Sequence, residues 1–210
     1  MNDSDDKGHF GAAYSLEGAE QTRAHYASWA DSYDREVGEQ NGYAQPARAA
    51  QMLSRYTETG AVEVLDAGCG SGLSGVALSH AGVTRLDGCD FSPEMLAKAG
   101  EKGVYRSLFE ADLNGTLAVE DARYDAVTCV GVFSFGHVEP KALAELLRVV
   151  KPGGHIIVAL NDPFWQRGDL RETIERHVAA GSCTELAREF GEHLPGHDVK
   201  GWVIALRKAA

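Results

Sequence analysis

Val64-Leu65-Asp66-Ala67-Gly68-Cys69-Gly70-Ser71-Gly72 is an apolar run that ends in an acid and breaks into three alternating glycines. The apolar part reads as a strand, and Leu73–Ala81 after it reads as a helix, which puts the glycines in a strand-to-helix turn. Glycine there permits φ > 0 and close approach of a ligand to the main chain. Outward from this turn the alternation repeats. Residues 61–67, 84–90, 124–130 and 155–160 are strand-like, rich in β-branched residues and bounded by Gly or Asp. Pro93–Gly100 and Lys141–Val149 read as helices between them. Ser92-Pro93-Glu94 is a helix opening with Ser at the N-cap and Pro in the first turn. Lys151-Pro152-Gly153-Gly154 reads as a stop. Strands alternating with helices predict an α/β fold with a doubly wound, mostly parallel sheet. Near the end, residues 183–194 and 198–209, joined through Pro195-Gly196, read as a closing strand pair, one of them antiparallel to the rest.

Ahead of the sheet, residues 19–37 carry Tyr26, Trp29 and Tyr33 at spacings of three and four, one face of a helix. A second helical stretch follows Pro46, with Ala50, Leu53 and Tyr56 as expected buried positions. Residues 1–18 are polar and Gly-rich and read as a flexible tail. Neither a repeat nor a Pro/Gly/Ser linker divides the remainder, so 19–210 is expected to be a single domain, helices over 19–58 preceding a core over 61–210.

The 210 residues are 44% apolar and 24% charged, close to globular averages of roughly 45–50% and 25%. That composition excludes a disordered chain. Acids outnumber Lys and Arg by 31 to 20, a net charge of −11. Such a surface repels phosphate backbones and anionic headgroups, so no nucleic-acid or membrane partner is expected. Apolar runs such as Ile156–Leu160 are far shorter than the roughly 18 residues of a membrane span. The acidic residues 1–15 lack the basic start and apolar stretch of a secretory signal. Cys69, Cys89, Cys129 and Cys183 are far apart, with no C-x-x-C pair. This argues against a metal site or a disulfide framework, and for reduced thiols in a cytoplasmic protein.

Two ligand classes compete for the glycine turn. Gly70-x-Gly72-x-x-Gly75 formally fits the dinucleotide fingerprint, with Asp90 at about the expected 20-residue distance. Asp66 points the other way. A carboxylate facing the ligand repels a diphosphate and attracts a molecule carrying an ammonium and a sulfonium, which describes S-adenosylmethionine. The structural alternative is that Asp66 caps the turn through backbone N–H groups.

VLDAGCGSG resembles motif I of the class I S-adenosylmethionine-dependent methyltransferases. The resemblance runs from about Tyr26 to the end of the chain and implies a seven-stranded Rossmann-like methyltransferase fold. It implies cofactor contacts from Asp66, Gly68, Cys69, Gly70, Gly72 and Leu73. In GCDFSPEML, Asp90 matches the family's acidic ribose-binding residue; the alternative is a solvated Asp at a strand end. In EADLNGTL, Asp112 matches the residue near the adenine amino group; the alternative is a cap on the next turn. Phe91, Met95 and Leu113 either sandwich the adenine or are ordinary core. YDAVTCVGVFSF resembles the fourth-strand motif beside the reactive methyl, which brings in Val130, and ELLRVVKPGG the segment before the fifth strand. YASWADSYD is similar to the lid of the small methyltransferases named after the Williams–Beuren syndrome region. By that likeness Tyr26, Trp29 and Tyr33 close over the methionine end of the cofactor; by helical periodicity alone they are core packing.

Methyl transfer depends on holding a nucleophile in line with the sulfonium, and needs a base only where the acceptor must lose a proton. His137, in Phe135-Gly136-His137-Val138-Glu139, is the expected base; a surface histidine is the alternative. Asn161-Asp162-Pro163-Phe164 differs from the Asn-Pro-Pro-aromatic signature of amino-group methyltransferases in having one proline and in following the fifth strand, so that assignment is rejected. The expected activity is methyl transfer from S-adenosylmethionine to a small-molecule acceptor, releasing S-adenosylhomocysteine, by a monomer or homodimer. An NAD(P)-dependent oxidoreductase is the first alternative, although no Tyr is followed four residues later by Lys. A non-catalytic S-adenosylmethionine-binding protein is the second.

Overall fold

The computed structural model describes residues 19–134 and 138–210; the tail expected over 1–18 and His137 lie outside them. Helix α1 (Ala19–Tyr33) runs into a π-helical segment (Asp34–Gln40) and is followed by α2 (Gln45–Ser54). Then come β1 (Glu63–Ala67), α3 (Leu73–His80), β2 (Arg85–Asp90), α4 (Pro93–Glu101), β3 (Ser107–Glu110) and β4 (Tyr124–Val130). After α5 (Ala142–Val149) the chain forms β5 (Val150–Asn161), α6 (Asp162–Arg167), α7 (Asp169–Ala179), β6 (Cys183–Leu194) and β7 (Val199–Lys208).

The seven strands make one sheet in the order β3-β2-β1-β4-β5-β7-β6. The first five are mutually parallel, while β7 runs antiparallel to both β5 and β6. The doubly wound sheet and its closing pair therefore form as expected. Strand order reverses beside β1, where β2 and β4 lie on its two sides, and this switch point opens a crevice at the carboxyl ends of the strands.

Period-two alternation sends neighbouring strand residues to opposite layers. Leu65, Val127 and Ile156 pack on one face with Leu143 and Leu146 of α5 and Ile174 of α7. Val64, Ala126 and Ile157 pack on the other with Met52 and Leu53 of α2 and Leu78 of α3. Each fully buried aliphatic side chain contributes roughly 1.5–3 kcal/mol to holding its layer. Ala50 and Leu53 are buried as the spacing predicts; Tyr56 lies just past α2 and packs at the edge of the same layer.

Three local expectations change. The first helix is α-helical only to Tyr33, and the wider π turn brings Val37 against Trp29 and Leu194. Lys151-Pro152-Gly153-Gly154 ends α5 but does not precede the strand: it is the start of β5, at an irregularity between Tyr124 and Ala126 where the register shifts, one of the few places a strand accepts Pro. Helices α6 and α7 were not expected. Asn161-Asp162-Pro163-Phe164 is the N-terminus of α6, with Asn161 Oδ1 accepting from the Phe164 N–H at 2.8 Å.

Candidate functional site

Above the carboxyl ends of β1, β2 and β4 and beneath α1 lies an open-mouthed cleft. Gly68 and Gly70 of the turn after β1, Asp90 and Phe91 at the end of β2, and Asp112 and Leu113 beyond β3 line it. Met95 of α4, Val130 at the end of β4, and Tyr26 and Tyr33 of α1 complete the set of expected residues found there.

Asp90 does more than face the cleft. Its Oδ2 accepts from the Gly70 N–H at 2.9 Å and its Oδ1 from the Ser92 N–H at 3.0 Å, tying the glycine turn to the start of α4. Burial pushes its carboxyl up, and these backbone donors oppose the shift. A carboxylate has about four acceptor positions, so each oxygen keeps capacity for a further donor. Ser92 caps α4 as expected, accepting from the Met95 N–H at 3.3 Å. Asp112 is exposed, and its Oδ1 accepts from the Asn114 N–H at 2.9 Å, so it caps its turn and lines the cleft at once. Met95 and Leu113 are buried as core and also form cleft wall.

Five expected residues are not in the lining: Trp29, Asp66, Cys69, Gly72 and Leu73. Asp66 is fully buried beneath the turn. It neither faces the cleft nor caps the turn through backbone N–H groups; its carboxyl accepts from Ser74 Oγ at 2.6 Å, Tyr105 Oη at 2.8 Å and Thr128 Oγ1 at 3.1 Å. Desolvation pushes its pKa up against those three hydroxyl donors. Trp29 is 2% exposed and donates from Nε1 to Glu36 Oε2 at 2.8 Å, anchoring α1 rather than facing a ligand. The Cys69 thiol is buried and its pKa is pushed up, chiefly by desolvation. Leu73 packs at Gly38 of the π-helical segment. Gly75, third in the dinucleotide pattern, borders the Tyr105 ring and is not part of the cleft wall.

Sequence reasoning missed Thr22, Ala111, Asn114, Gly131, Val132 and Val138 in the lining. Thr22 lies one helical turn before Tyr26, so the same periodicity reaches it. Val132 and Val138 flank the segment that contains His137. Helix α1 is held over the β2–β3 side by ion pairs Arg23–Glu110 and Asp31–Lys98 (3.0 Å), and the π-helical segment after it by Asp34, which pairs with Lys102 and accepts from Ser71 of the glycine turn.

Residues 65–158 match a family model described as a methyltransferase domain. The chain is 34% identical over 176 residues to methyltransferase-like protein 27 of Homo sapiens, spanning 81% of this chain and 71% of that protein. Its fold is similar to the [4+2]-cyclase SpnF at a TM-score of 0.71 and 18% identity, over 93% of this chain and 97% of that one. It is similar also to an S-adenosylmethionine-dependent methyltransferase from Mesorhizobium loti at a TM-score of 0.61 and 16% identity, over 80% and 100% of the two chains. The solved structures speak for the fold; the relation to a methyltransferase-like protein over most of both lengths speaks for the chemistry, and it displaces the oxidoreductase reading of Gly70-x-Gly72-x-x-Gly75. The chain belongs to the class I S-adenosylmethionine-dependent methyltransferases, enzymes whose cofactor is S-adenosylmethionine.

Proposed function

We propose that this methyltransferase acts on a small-molecule acceptor and that the cleft holds both cofactor and acceptor. One observation carries the reading: a single cleft runs from two carboxylates, Asp90 and Asp112, to an apolar end at Val130, Gly131 and Val132, with Tyr26 and Tyr33 of α1 along it. The donor and acceptor chemistry of this lining fits the cofactor. A ribose diol offers two donors to the free acceptor positions on Asp90, in charge-assisted hydrogen bonds. Phe91, Met95 and Leu113 present apolar surface to adenine, and Asp112 is beside them to take its amino group. The sulfonium of bound S-adenosylmethionine supplies an electrophilic methyl. In this reading the amino-acid end lies over Gly68 and Gly70 and the methyl points toward Gly131, an orientation that the strand order β3-β2-β1-β4 supports.

A cleft beneath α1 suits an acceptor small enough to be enclosed, and the net charge of −11 disfavours a nucleic acid. Catalysis in this reading is largely positioning, with His137 as the base where the acceptor must lose a proton. Among the described residues no helix is long and apolar enough to cross a membrane. All four cysteines are free and buried, which suits a reducing compartment such as the cytoplasm. The test is to incubate the enzyme with methyl-labelled S-adenosylmethionine and a whole-cell extract, then separate by size. Label in the low-mass fraction is expected; label confined to protein or nucleic acid contradicts the proposal.

A further inference from the structure

Tyr105, between α4 and β3, is the residue around which the underside of the glycine turn is built. A Cβ at Gly75 would meet its hydroxyl oxygen at 2.2 Å, one at Gly88 would meet its ring at 2.8 Å, and one at Gly72 would meet it at 3.3 Å. The turn, α3 and β2 each present a residue without a side chain where the ring packs. The hydroxyl ends on Asp66 at 2.8 Å, beside the hydroxyls of Ser74 from α3 and Thr128 from β4. Three elements thus converge on one buried carboxyl, and that carboxyl sits two residues before Gly68, which lines the cleft. A buried acceptor of this kind is costly unless its donors stay in place, so the joint resists displacement.

We propose that Tyr105 is a positioning residue for the cofactor: through Asp66 it fixes the main chain of residues 68–70 in the shape that receives the amino-acid end of S-adenosylmethionine. This rests on the cofactor placement proposed above, in which the adenosine end lies over β2 and β3 and the amino-acid end over the turn after β1. Neither Tyr105 nor Asp66 lines the cleft, so the effect reaches the ligand through the turn, chiefly at the amino-acid end.

The test is calorimetric titration of the parent and Tyr105→Phe with two ligands, S-adenosylmethionine and 5′-methylthioadenosine, which lacks the amino-acid end. Tyr105→Phe keeps the ring among the glycines and removes only the donor. Loss of one hydrogen bond from the joint is expected to weaken S-adenosylmethionine binding roughly 3- to 10-fold. Affinity for 5′-methylthioadenosine should stay within about twofold, because the ring stays in place and the lost donor lies outside the cleft lining. Ser74→Ala removes a different donor from Asp66 and should give the same ligand-selective loss, which covers the case of a poorly folded Tyr105→Phe. Unchanged S-adenosylmethionine affinity in both variants, or an equal loss for both ligands, overturns the inference while leaving the cofactor placement standing. A parent protein that binds neither ligand overturns the placement and this inference with it.

Discussion

Replacing Asp90 by Ala should damage cofactor binding and stability together, by amounts that follow from the bonds it makes. In the proposed placement, Asp90→Ala removes charge-assisted hydrogen bonds to the ribose worth roughly 1.5–3 kcal/mol each. Loss of one weakens binding about 10- to 150-fold at 1.4 kcal/mol per decade. On the protein side, the Ser92 N–H loses its acceptor in a fully buried position, as does the Gly70 N–H nearer the cleft. An orphaned buried donor costs roughly 1–3 kcal/mol, and in a chain of this size each kcal/mol lowers Tm by about 2–4 °C. Its two backbone partners make this strand-end carboxylate a structural joint as well. Asp112→Ala is the comparator. It loses one turn cap at an exposed site and one contact to a neutral amino group, so both effects should be smaller. Calorimetric titration with S-adenosylmethionine gives the first quantity, and thermal melts followed by circular dichroism give the second. An Asp90→Ala protein that stays folded and binds S-adenosylmethionine within about twofold of the parent refutes the placement of the ribose.

His137→Ala should leave S-adenosylmethionine affinity unchanged and lower turnover, measured with the labelled cofactor once an acceptor fraction is in hand; unchanged turnover removes the base assignment. Hydrogen exchange over residues 26–43 should slow when cofactor binds, since α1 and the π-helical segment cover the cleft and lids close to exclude water; equal exchange with and without ligand argues against a closing motion. His193 is 6% exposed, and burial, aided by the charge of Arg48, lowers its pKa from 6.5 to about 4. Its folded pKa lies below its unfolded one, so its contribution to stability is present above pH 6.5 and is lost as pH falls toward 4. Asp66 and Asp90 have raised pKa values and act in the opposite sense, so the informative comparison is between variants. His193→Gln should show a shallower fall in Tm from pH 7 to pH 5 than the parent, and parallel curves would count against a neutral buried imidazole.

The sheet was legible because its signals are local. The breaks after β1, β2, β4 and β5 are marked by Gly or Asp, whereas β3, which runs into Ala111, was not read from its own residues; Ser92-Pro93 announces α4 on its own. Asp90 was legible for the same reason, since it ends β2 whatever surrounds it. Asp66 was misread because position at a strand end does not say which way a side chain points. Parity does: Asp66 is two residues from Val64, which packs on the α2–α3 face, and Ser74 of α3 is indeed one of its partners. Tyr26, Trp29 and Tyr33 share a helical stripe about 100° wide or more. Only the tertiary packing of Val37 and Leu194 decides that Trp29 lies on its core side while the tyrosines reach the cleft. The proposed role of Tyr105 had no signal in its own neighbourhood, because the glycines that admit it, Gly72 with Gly75 and Gly88, lie in two other stretches of chain.

The central claim, that the cleft seats S-adenosylmethionine with its adenosine end over β2 and β3 and its methyl directed at Gly131, is tested most directly by a crystal structure with S-adenosylhomocysteine bound. The account predicts both ribose hydroxyls within hydrogen-bond distance of the Asp90 carboxylate, adenine between Phe91, Met95 and Leu113, and the sulfur on the β4 side of Gly70. Ligand density elsewhere on the protein, or in the cleft with the adenosine end over β4, would contradict it.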